Sequence, residues 1–306
     1  MTAAPNRTAA PDGTAAAPDR TAAPALAALR SRLAGLDRVV VAFSGGVDSG
    51  LLAWVAHDVL GPARAVAVTA VSPSLAPSEQ ADCRRLAADW GLRWMEVATD
   101  EGSRPGYVAN GPDRCYHCKS ELMEKLAPVA AAEGAVLALG VNVDDLSDHR
   151  PGQQAARERG AVFPLVDAGF TKAAVREAAR DLGLEVWDKP AAACLASRIP
   201  YGTEVTLGTL SRVAQAEEGL RAFGYRSLRV RHYGDLARIE LETEDLERAV
   251  TADRHRIVAA VRAAGYRYVT LDLEGLRSGN LNLAIGANGA DGADGADGAL
   301  GAGTAR

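Results

Sequence analysis

Short apolar runs alternate with amphipathic segments from about residue 25 to about residue 190. Strands are predicted where β-branched and other apolar residues cluster, at Val39–Phe43, Ala65–Ala70, Trp94–Ala98, Ala135–Val141 and Val162–Leu165. Helices are predicted where apolar positions recur with helical spacing, at Val47–Leu60, Ser78–Trp90, Cys115–Ala132 and Thr171–Leu182. Because strands that alternate with helices form right-handed βαβ units, this pattern predicts an α/β fold with a doubly wound parallel sheet.

The pattern changes after Pro200, where strand-like segments alternate polar and apolar residues. The elements predicted here are a helix from an N-cap at Thr206 to Phe223, a hairpin of Leu228–Arg231 and Ala237–Leu241, a helix at Glu244–Ala264 and a strand at Tyr268–Leu273. We therefore expect an α/β domain over residues 25–195, followed by a small α+β domain over residues 196–285.

Both ends of the 306-residue chain are of low complexity. Residues 1–24 repeat a Thr-Ala-Ala-Pro theme and residues 286–306 repeat Gly-Ala-Asp, so both are predicted to be disordered tails that bury too little apolar surface to fold. No segment resembles a signal peptide or could span a bilayer, which predicts a soluble cytoplasmic protein without a membrane partner. The net charge of −5 argues against broad nucleic-acid binding.

The first predicted strand runs directly into Ser44-Gly-Gly-Val-Asp-Ser49, and a helix follows. Gly45 and Gly46 allow a tight turn that aims backbone N–H groups at one point, and the start of the helix adds further unpaired N–H groups. With two serine hydroxyls this loop suits a phosphate or pyrophosphate, although it is neither a Walker A loop nor a G-x-G-x-x-G turn. It resembles the PP-loop of ATP pyrophosphatases; the alternative is an ordinary glycine turn.

Three of the four cysteines have candidate chemical roles. Cys83 lies on an apolar helical stripe and is predicted to be a core residue. Cys115 and Cys118 form a C-x-x-C pair, which could bind zinc, act as a redox dithiol or supply two ligands to an iron–sulfur cluster. No second pair at close spacing completes a structural zinc site.

Cys194 lies among small residues at the predicted junction between the two domains. Lys189 and Arg198 are close to it in the sequence, and cations at this spacing would favour the reactive thiolate. The alternative is that Cys194 is a structural core cysteine.

Two charged groups could bind a substrate or a metal ion. Strand alternation places Arg229 and Arg231 on the same face of the predicted hairpin, where two guanidinium groups could hold a phosphate or a carboxylate, or could simply lie on a solvated face. Asp144, Asp145 and Asp148 follow a predicted parallel strand. They could hold Mg²⁺ together with ATP phosphates or could form a solvated acidic turn.

These stretches together resemble the LarE family of ATP-dependent sulfur transferases, which serve the assembly of the nickel-pincer nucleotide cofactor of lactate racemase. The resemblance spans about Leu26 to Asn280 and rests on five motifs. They are Phe43-Ser-Gly-Gly-Val-Asp-Ser49, Asp144-Asp-Leu-Ser-Asp-His-Arg-Pro-Gly152, Lys189-Pro-Ala-Ala-Ala-Cys-Leu-Ala-Ser-Arg-Ile-Pro-Tyr-Gly202, Arg229-Val-Arg231 and Arg277-Ser-Gly279. The first is shared by many PP-loop enzymes, whereas the Cys194 stretch and the Arg-Val-Arg strand are more particular to this family.

The resemblance implies that ATP adenylates a carboxylate of pyridinium-3,5-biscarboxylic acid mononucleotide, so that a sulfur nucleophile can displace AMP. It also implies ATP and Mg²⁺ as cofactors and a small nucleotide-like substrate, and we expect a homo-oligomer. The residues expected to bind the nucleotide are Ser44, Gly45, Gly46, Asp48, Ser49, Ser197 and Arg198, with Asp145 as a candidate Mg²⁺ ligand. Arg229 and Arg231 are expected to hold the substrate phosphate, and Glu217 or Glu240 is expected to act as a base.

Members of the family obtain the sulfur that they transfer in one of two ways, and the cysteines of this chain match one of them. Some members sacrifice a single cysteine, which here would be Cys194. Others hold a [4Fe–4S] cluster on three cysteines, whose open iron delivers an added sulfide; Cys115, Cys118 and Cys194 match this second type, which we favour.

Three other classes of protein carry related sequence features. A tRNA 2-thiolation enzyme would share the PP-loop, but the acidic balance of this chain counts against it. An ammonia-dependent amidotransferase would also share the loop but would give no role to Cys194 or to the C-x-x-C pair. A nucleotide-binding regulatory module would not require the acidic and cysteine sites beside the loop.

Overall fold

The computed structural model describes residues 22–146, 151–190 and 193–277, which form two β-sheets and the helices that cover them. The first sheet contains four parallel strands in the order β3-β2-β1-β4. These strands are β1 (Val39–Ala42), β2 (Ala65–Val71), β3 (Trp94–Ala98) and β4 (Val136–Leu139). β1 is central, since it pairs in register with β2 on one side and with β4 on the other.

Helices cover both faces of this sheet. They are α1 (Ala22–Ala34), α2 (Val47–Leu60), α3 (Pro77–Asp89), α4 (Pro105–Val108), α5 (Arg114–Glu133), α6 (Pro151–Glu158), α7 (Pro164–Asp167) and α8 (Lys172–Asp181). Side chains alternate along a strand, so Val39 and Val41 pack in one apolar cluster with Leu51, whereas Val40 packs in another with Leu126. A parallel sheet buried on both faces confirms the predicted α/β, doubly wound class.

The second sheet contains β5 (Leu228–Tyr233), β6 (Leu236–Leu241) and β7 (Tyr268–Leu271) in the order β5-β6-β7. The first pair is an antiparallel hairpin and the second pair is parallel. The helices of this part are α9 (Leu207–Arg221), α10 (Leu246–Thr251) and α11 (Arg254–Ala263). Thr206 is the N-cap of α9, and its hydroxyl accepts a 3.1 Å hydrogen bond from the backbone N–H of Thr209. The small α+β part is therefore confirmed as a fold.

Two predicted elements are wrong. The strand expected at Val162–Leu165 is reduced to one bridge between Ala138 and Val162, because Pro164 lacks an N–H for a strand ladder and starts α7 instead. The single helix expected at Glu244–Ala264 is divided into α10 and α11 at Asp253. The buried Asp253 carboxylate accepts a 3.0 Å hydrogen bond from the Tyr225 hydroxyl, which fixes the break against the core.

The predicted domain limits at residues 195/196 and 285 stay predictions. α1 begins at Ala22, inside the tail predicted to end at residue 24. The tail predicted over residues 286–306 lies outside the described residues, as do Asp148 and the end of the Arg277-Ser-Gly279 motif. No helix in the described ranges is long and apolar enough to cross a membrane.

Candidate active site

The Ser44–Ser49 loop lies at the carboxyl end of the central strand and leads into α2. Ser49 Oγ accepts a hydrogen bond from the Ser44 backbone N–H at 3.1 Å and lies 3.0 Å from Ser44 Oγ. Gly45 has a φ of 68°, and a Cβ there would lie 2.9 Å from the sulfur of Cys83. Glycine is therefore required for both its conformation and the close approach. Cys83 is fully buried against this loop, and burial raises the pKa of its thiol to about 11.

The neighbouring strand ends against the same loop. A Cβ on Gly140, which follows β4, would lie 2.7 Å from the backbone nitrogen of Ser49. Because moving the Ser49 backbone away from a Cβ would be energetically costly, this close approach also requires glycine. The loop and the turn after β4 thus form one crevice at the carboxyl edge of the sheet, where open α/β sheets bind ligands.

Asp48 of the loop is held by two residues from later in the chain. Its carboxylate accepts a 2.9 Å hydrogen bond from the Asn142 side-chain amide and forms an ion pair with the Lys172 ammonium group. Asn142 is buried and also accepts hydrogen bonds from the backbone N–H groups of Asp144 and Asp145. Asp145, the candidate Mg²⁺ ligand, is therefore linked to Asp48 through the Asn142 side chain.

Sequence reasoning missed Lys172 and Asn142. One signal was available for Lys172, which is the first residue of α8, where the helix dipole disfavours a cation. The ion pair with Asp48 explains why a lysine is found at the start of this helix. Asn142 carried no such signal, because it reads as an ordinary residue of a loop.

Two buried ion pairs lie behind the Cys194 segment, one between that segment and α9 and one within the second sheet. Arg198 Nε donates to Glu217 at 2.8 Å, and Arg231 Nη2 donates to Glu240 at 2.8 Å. All four side chains are buried. The Arg231 guanidinium also donates to the backbone oxygen of Ser197 at 2.8 Å. The two acidic residues predicted as candidate bases therefore hold arginines, and these arginines hold the segment that carries Cys194.

The structure buries the two arginines of this strand to different extents. Arg231 is buried with Glu240, whereas Arg229 is partly exposed and donates to the backbone oxygen of Arg277 at 3.0 Å. Burial, together with the positive charges of Arg231 and Arg198, lowers the pKa of Arg229. A bound anion would relieve this repulsion, so the geometry suits a phosphate at Arg229.

A cavity of about 550 Å³, the first cavity, lies beside this segment. Its lining includes Lys189, Ala193, Arg198, Arg221, Arg226 and Arg229. A volume of this size accommodates a small-molecule ligand. Lys189, which the sequence placed near Cys194, forms ion pairs at 2.8 Å with Glu79 and Asp82. The first cavity is therefore lined by charges of both signs, and Ala193 and Arg198 of the Cys194 segment form part of its wall.

The three candidate cluster cysteines lie in one region. Cys115 and Cys118 are in the first turns of α5, and Cys118 neighbours Cys194. Burial, followed by the neighbouring Cys194, raises the pKa of the Cys118 thiol to about 12. Arg114 is buried beside Cys194 and Cys115 and donates to the backbone oxygen of Ala196 at 2.9 Å.

Cys115, Cys118 and Cys194 supply thiols, the donor type of an iron–sulfur cluster. Within the described residues, no three His, Cys, Asp or Glu side chains gather closely enough to hold one metal ion. In a cluster each thiolate binds a different iron, so three thiols need not converge on one point. The three cysteines are thus compatible in type and neighbourhood with a [4Fe–4S] group.

Similarity to known proteins extends over most of the chain. The NAD synthase family model matches residues 27–104, which include the Ser44–Ser49 loop. An uncharacterized protein from Synechocystis sp. is 50% identical over 256 residues, which cover 83% of this chain and 95% of that protein. An uncharacterized protein from Methanocaldococcus jannaschii is 27% identical over 242 residues, which cover 79% of this chain and 91% of that protein.

A third relative has a named activity. The pyridinium-3,5-bisthiocarboxylic acid mononucleotide synthase from Lactiplantibacillus plantarum is 38% identical over 257 residues, which cover 84% of this chain and 93% of that protein. The chain belongs to the LarE family of PP-loop, ATP-dependent sulfurtransferases.

Proposed function

We propose that this enzyme adenylates a carboxylate of pyridinium-3,5-biscarboxylic acid mononucleotide and converts it to a thiocarboxylate. The observation that carries the proposal is that the segment of Cys194 borders a cavity with several arginines, while Cys194 itself neighbours Cys118. The named relative is a synthase of pyridinium-3,5-bisthiocarboxylic acid mononucleotide, the product expected from this reaction at both carboxylates. The substrate is a small nucleotide-like molecule, and the net charge of −5 supports this choice over a tRNA. We also propose that the enzyme is a homo-oligomer.

In the first step the substrate carboxylate attacks the α-phosphorus of ATP and pyrophosphate leaves. The Ser44–Ser49 loop would bind the departing pyrophosphate through its backbone N–H groups and the start of α2. Asp48 and Asp145 would hold Mg²⁺, which neutralises phosphate charge. Lys172 would then exchange Asp48 for a phosphate oxygen as the metal ion takes the carboxylate.

In the second step a sulfur nucleophile attacks the acyl adenylate and AMP leaves. Arg229 would hold the substrate phosphate in the first cavity, with Ser197 and Arg198 beside the nucleotide. Glu217 and Glu240 are each buried and paired with arginine, an arrangement that supports a positioning role. They would keep Arg198 and Arg231 in place behind the Cys194 segment.

We further propose that Cys115, Cys118 and Cys194 hold a [4Fe–4S] cluster. When bound, such a cluster supplies an iron without a protein ligand that can carry sulfide. The alternative is sacrifice of Cys194, in which its thiolate attacks the acyl adenylate, a base removes its α-proton and the Cβ–S bond breaks. That route leaves a thiocarboxylate on the substrate and dehydroalanine in the protein, so it can act only once.

Incubation with ATP and the pyridinium dicarboxylate mononucleotide should release pyrophosphate and AMP and should form the thiocarboxylate. Pyrophosphate is measured by a coupled enzymatic assay and the thiocarboxylate by mass spectrometry. A reaction without the mononucleotide controls for ATP cleavage that does not depend on the substrate. Failure to release pyrophosphate above that control would rule out the proposed reaction.

Protein purified anaerobically and supplied with iron and sulfide should turn brown, because iron–sulfur clusters absorb broadly in the visible range. Iron content and cysteine-resolved mass spectrometry are measured on the same sample. A Cys83→Ala variant should bind as much iron as the unaltered protein, whereas Cys118→Ala should not. Colourless, iron-free protein in which turnover converts Cys194 to dehydroalanine would favour sacrifice over the cluster.

A further inference from the structure

A second cavity, of about 410 Å³, lies apart from the first and shares no lining residue with it. Its lining includes Ser74, Asp100, Glu101, Tyr107, Val205 and Leu210. The first cavity is lined by arginines and a lysine as well as by carboxylates, whereas the described lining of the second cavity holds two carboxylates and neither lysine nor arginine. Phosphorylated molecules are repelled by such a lining, so the second cavity suits neither ATP nor the substrate phosphate.

One wall of the second cavity is shared with the cysteine region. Tyr107, Val205 and Leu210 line the cavity and also belong to the apolar cluster against which Cys118 and Cys194 pack. Side chains that line the second cavity therefore pack in the same cluster as Cys118 and Cys194.

On that wall, the Tyr107 hydroxyl is buried and lies close to the Ser74 hydroxyl. Glu101, Cys194 and Cys118 are also near it. The Glu101 carboxylate accepts hydrogen bonds from Ser72 and Ser74. The wall that the second cavity shares with the cysteines therefore carries hydroxyl groups as well as apolar side chains.

The segment that carries Cys194 is in contact with the lining of both cavities. The backbone oxygen of Ser74, which lines the second cavity, accepts a 2.9 Å hydrogen bond from the N–H of Leu195. Ala193 and Arg198 of the same short segment line the first cavity. Cys194 therefore belongs to a segment that borders both cavities.

We propose, on the basis of the function proposed above, that the second cavity is the entry through which hydrogen sulfide reaches Cys118 and Cys194. Hydrogen sulfide is in large part uncharged near neutral pH, so the two carboxylates do not exclude it, and the Tyr107 hydroxyl can hydrogen-bond its sulfur. The separate entry lets sulfur be replaced while the adenylated substrate occupies the first cavity.

The first test narrows the mouth of the second cavity. Leu207, the first residue of α9, lines the cavity and is 69% exposed, so a Leu207→Trp variant should fold normally. With sodium sulfide as the sulfur source, the variant should release pyrophosphate at the normal rate but require a several-fold higher sulfide concentration for thiocarboxylate formation. Leu273→Trp is the matched control, because Leu273 is 81% exposed and lines neither cavity.

The outcomes of this test separate the two proposals. Absence of pyrophosphate release from the unaltered protein would reject the proposed function. Normal pyrophosphate release, with a sulfide dependence that Leu207→Trp leaves unchanged, would overturn only the proposed entry. Product formation that does not respond to sulfide at all would also overturn it.

A second test needs neither ATP nor a metal. Metal-free protein is treated with methyl methanethiosulfonate, a small uncharged thiol reagent, and labelling of each cysteine is followed by mass spectrometry. Leu207→Trp should slow labelling of Cys118 several-fold and leave the exposed Cys115 on the same helix unaffected. Equal labelling of Cys118 in both proteins would overturn the proposed entry, whatever reaction the enzyme catalyses.

Discussion

A Cys194→Ala variant should release pyrophosphate at the normal rate and should lose thiocarboxylate formation by about 10³-fold or more. Adenylation needs the substrate carboxylate, ATP and the Ser44–Ser49 loop. In the described structure the side chains of this loop hydrogen-bond within the loop and, through Asp48, to Asn142 and Lys172, and none of these bonds involves the Cys194 sulfur. Sulfur transfer needs that sulfur under either proposed route. The measured quantity is the ratio of thiocarboxylate formed to pyrophosphate released in the same reaction.

The matched control is Cys83→Ala, which also removes one thiol. Cys83 is fully buried against Gly45, so its loss should lower stability and could slow adenylation through the loop. It should leave the ratio of the two products unchanged, because each adenylate formed still meets an intact Cys194. If Cys194→Ala kept a normal product ratio, Cys194 would have no part in sulfur transfer.

The sequence predicted local features of this site well. Glycines at residues 45 and 46 and the strand–loop–helix order identify the phosphate loop, because these constraints act within a few residues. Thr206 identifies the start of α9 for the same reason. Local chemistry determines such features, so they are visible without knowledge of the tertiary fold.

The features that the sequence did not predict depend on distant contacts. Lys172 and Asp48 are 124 positions apart, and no periodicity indicates that pair. The burial of Tyr107 beside Cys118 and Cys194 likewise depends on elements that meet only after both parts of the chain have folded. Strand alternation correctly placed Arg229 and Arg231 on one face. Alternation alone cannot show which of the two side chains is buried by neighbouring elements.

Because Arg231 is buried and Arg229 is partly exposed, we expect their replacement to have different effects on stability and on substrate binding. Arg231→Leu should lower the free energy of unfolding by about 3–5 kcal/mol, because it leaves the fully buried Glu240 carboxylate without its bidentate partner. Arg238 also donates to Glu240, at 3.1 Å, so the loss should fall toward the lower end of that range. Urea denaturation measures this change.

Arg229→Leu should instead change stability by less than about 1 kcal/mol, since Arg229 is partly exposed and its side chain donates a hydrogen bond to a backbone oxygen rather than to a buried carboxylate. Loss of a charge-assisted hydrogen bond to the substrate phosphate should cost about 1.5–3 kcal/mol of binding. The expected result is a KM for the mononucleotide that rises about 10- to 100-fold at unchanged stability.

A double variant decides whether Arg231 acts through Glu240. Breaking a buried ion pair is costly, whereas replacing both partners by apolar residues of similar volume is often neutral. Arg231→Met combined with Glu240→Leu should therefore recover most of the stability that Arg231→Leu loses. Sulfur transfer should recover less, because the double variant still lacks the hydrogen bond from Arg231 to Ser197 that fixes the Cys194 segment. Full recovery of both quantities would show that this hydrogen bond has no part in positioning Cys194.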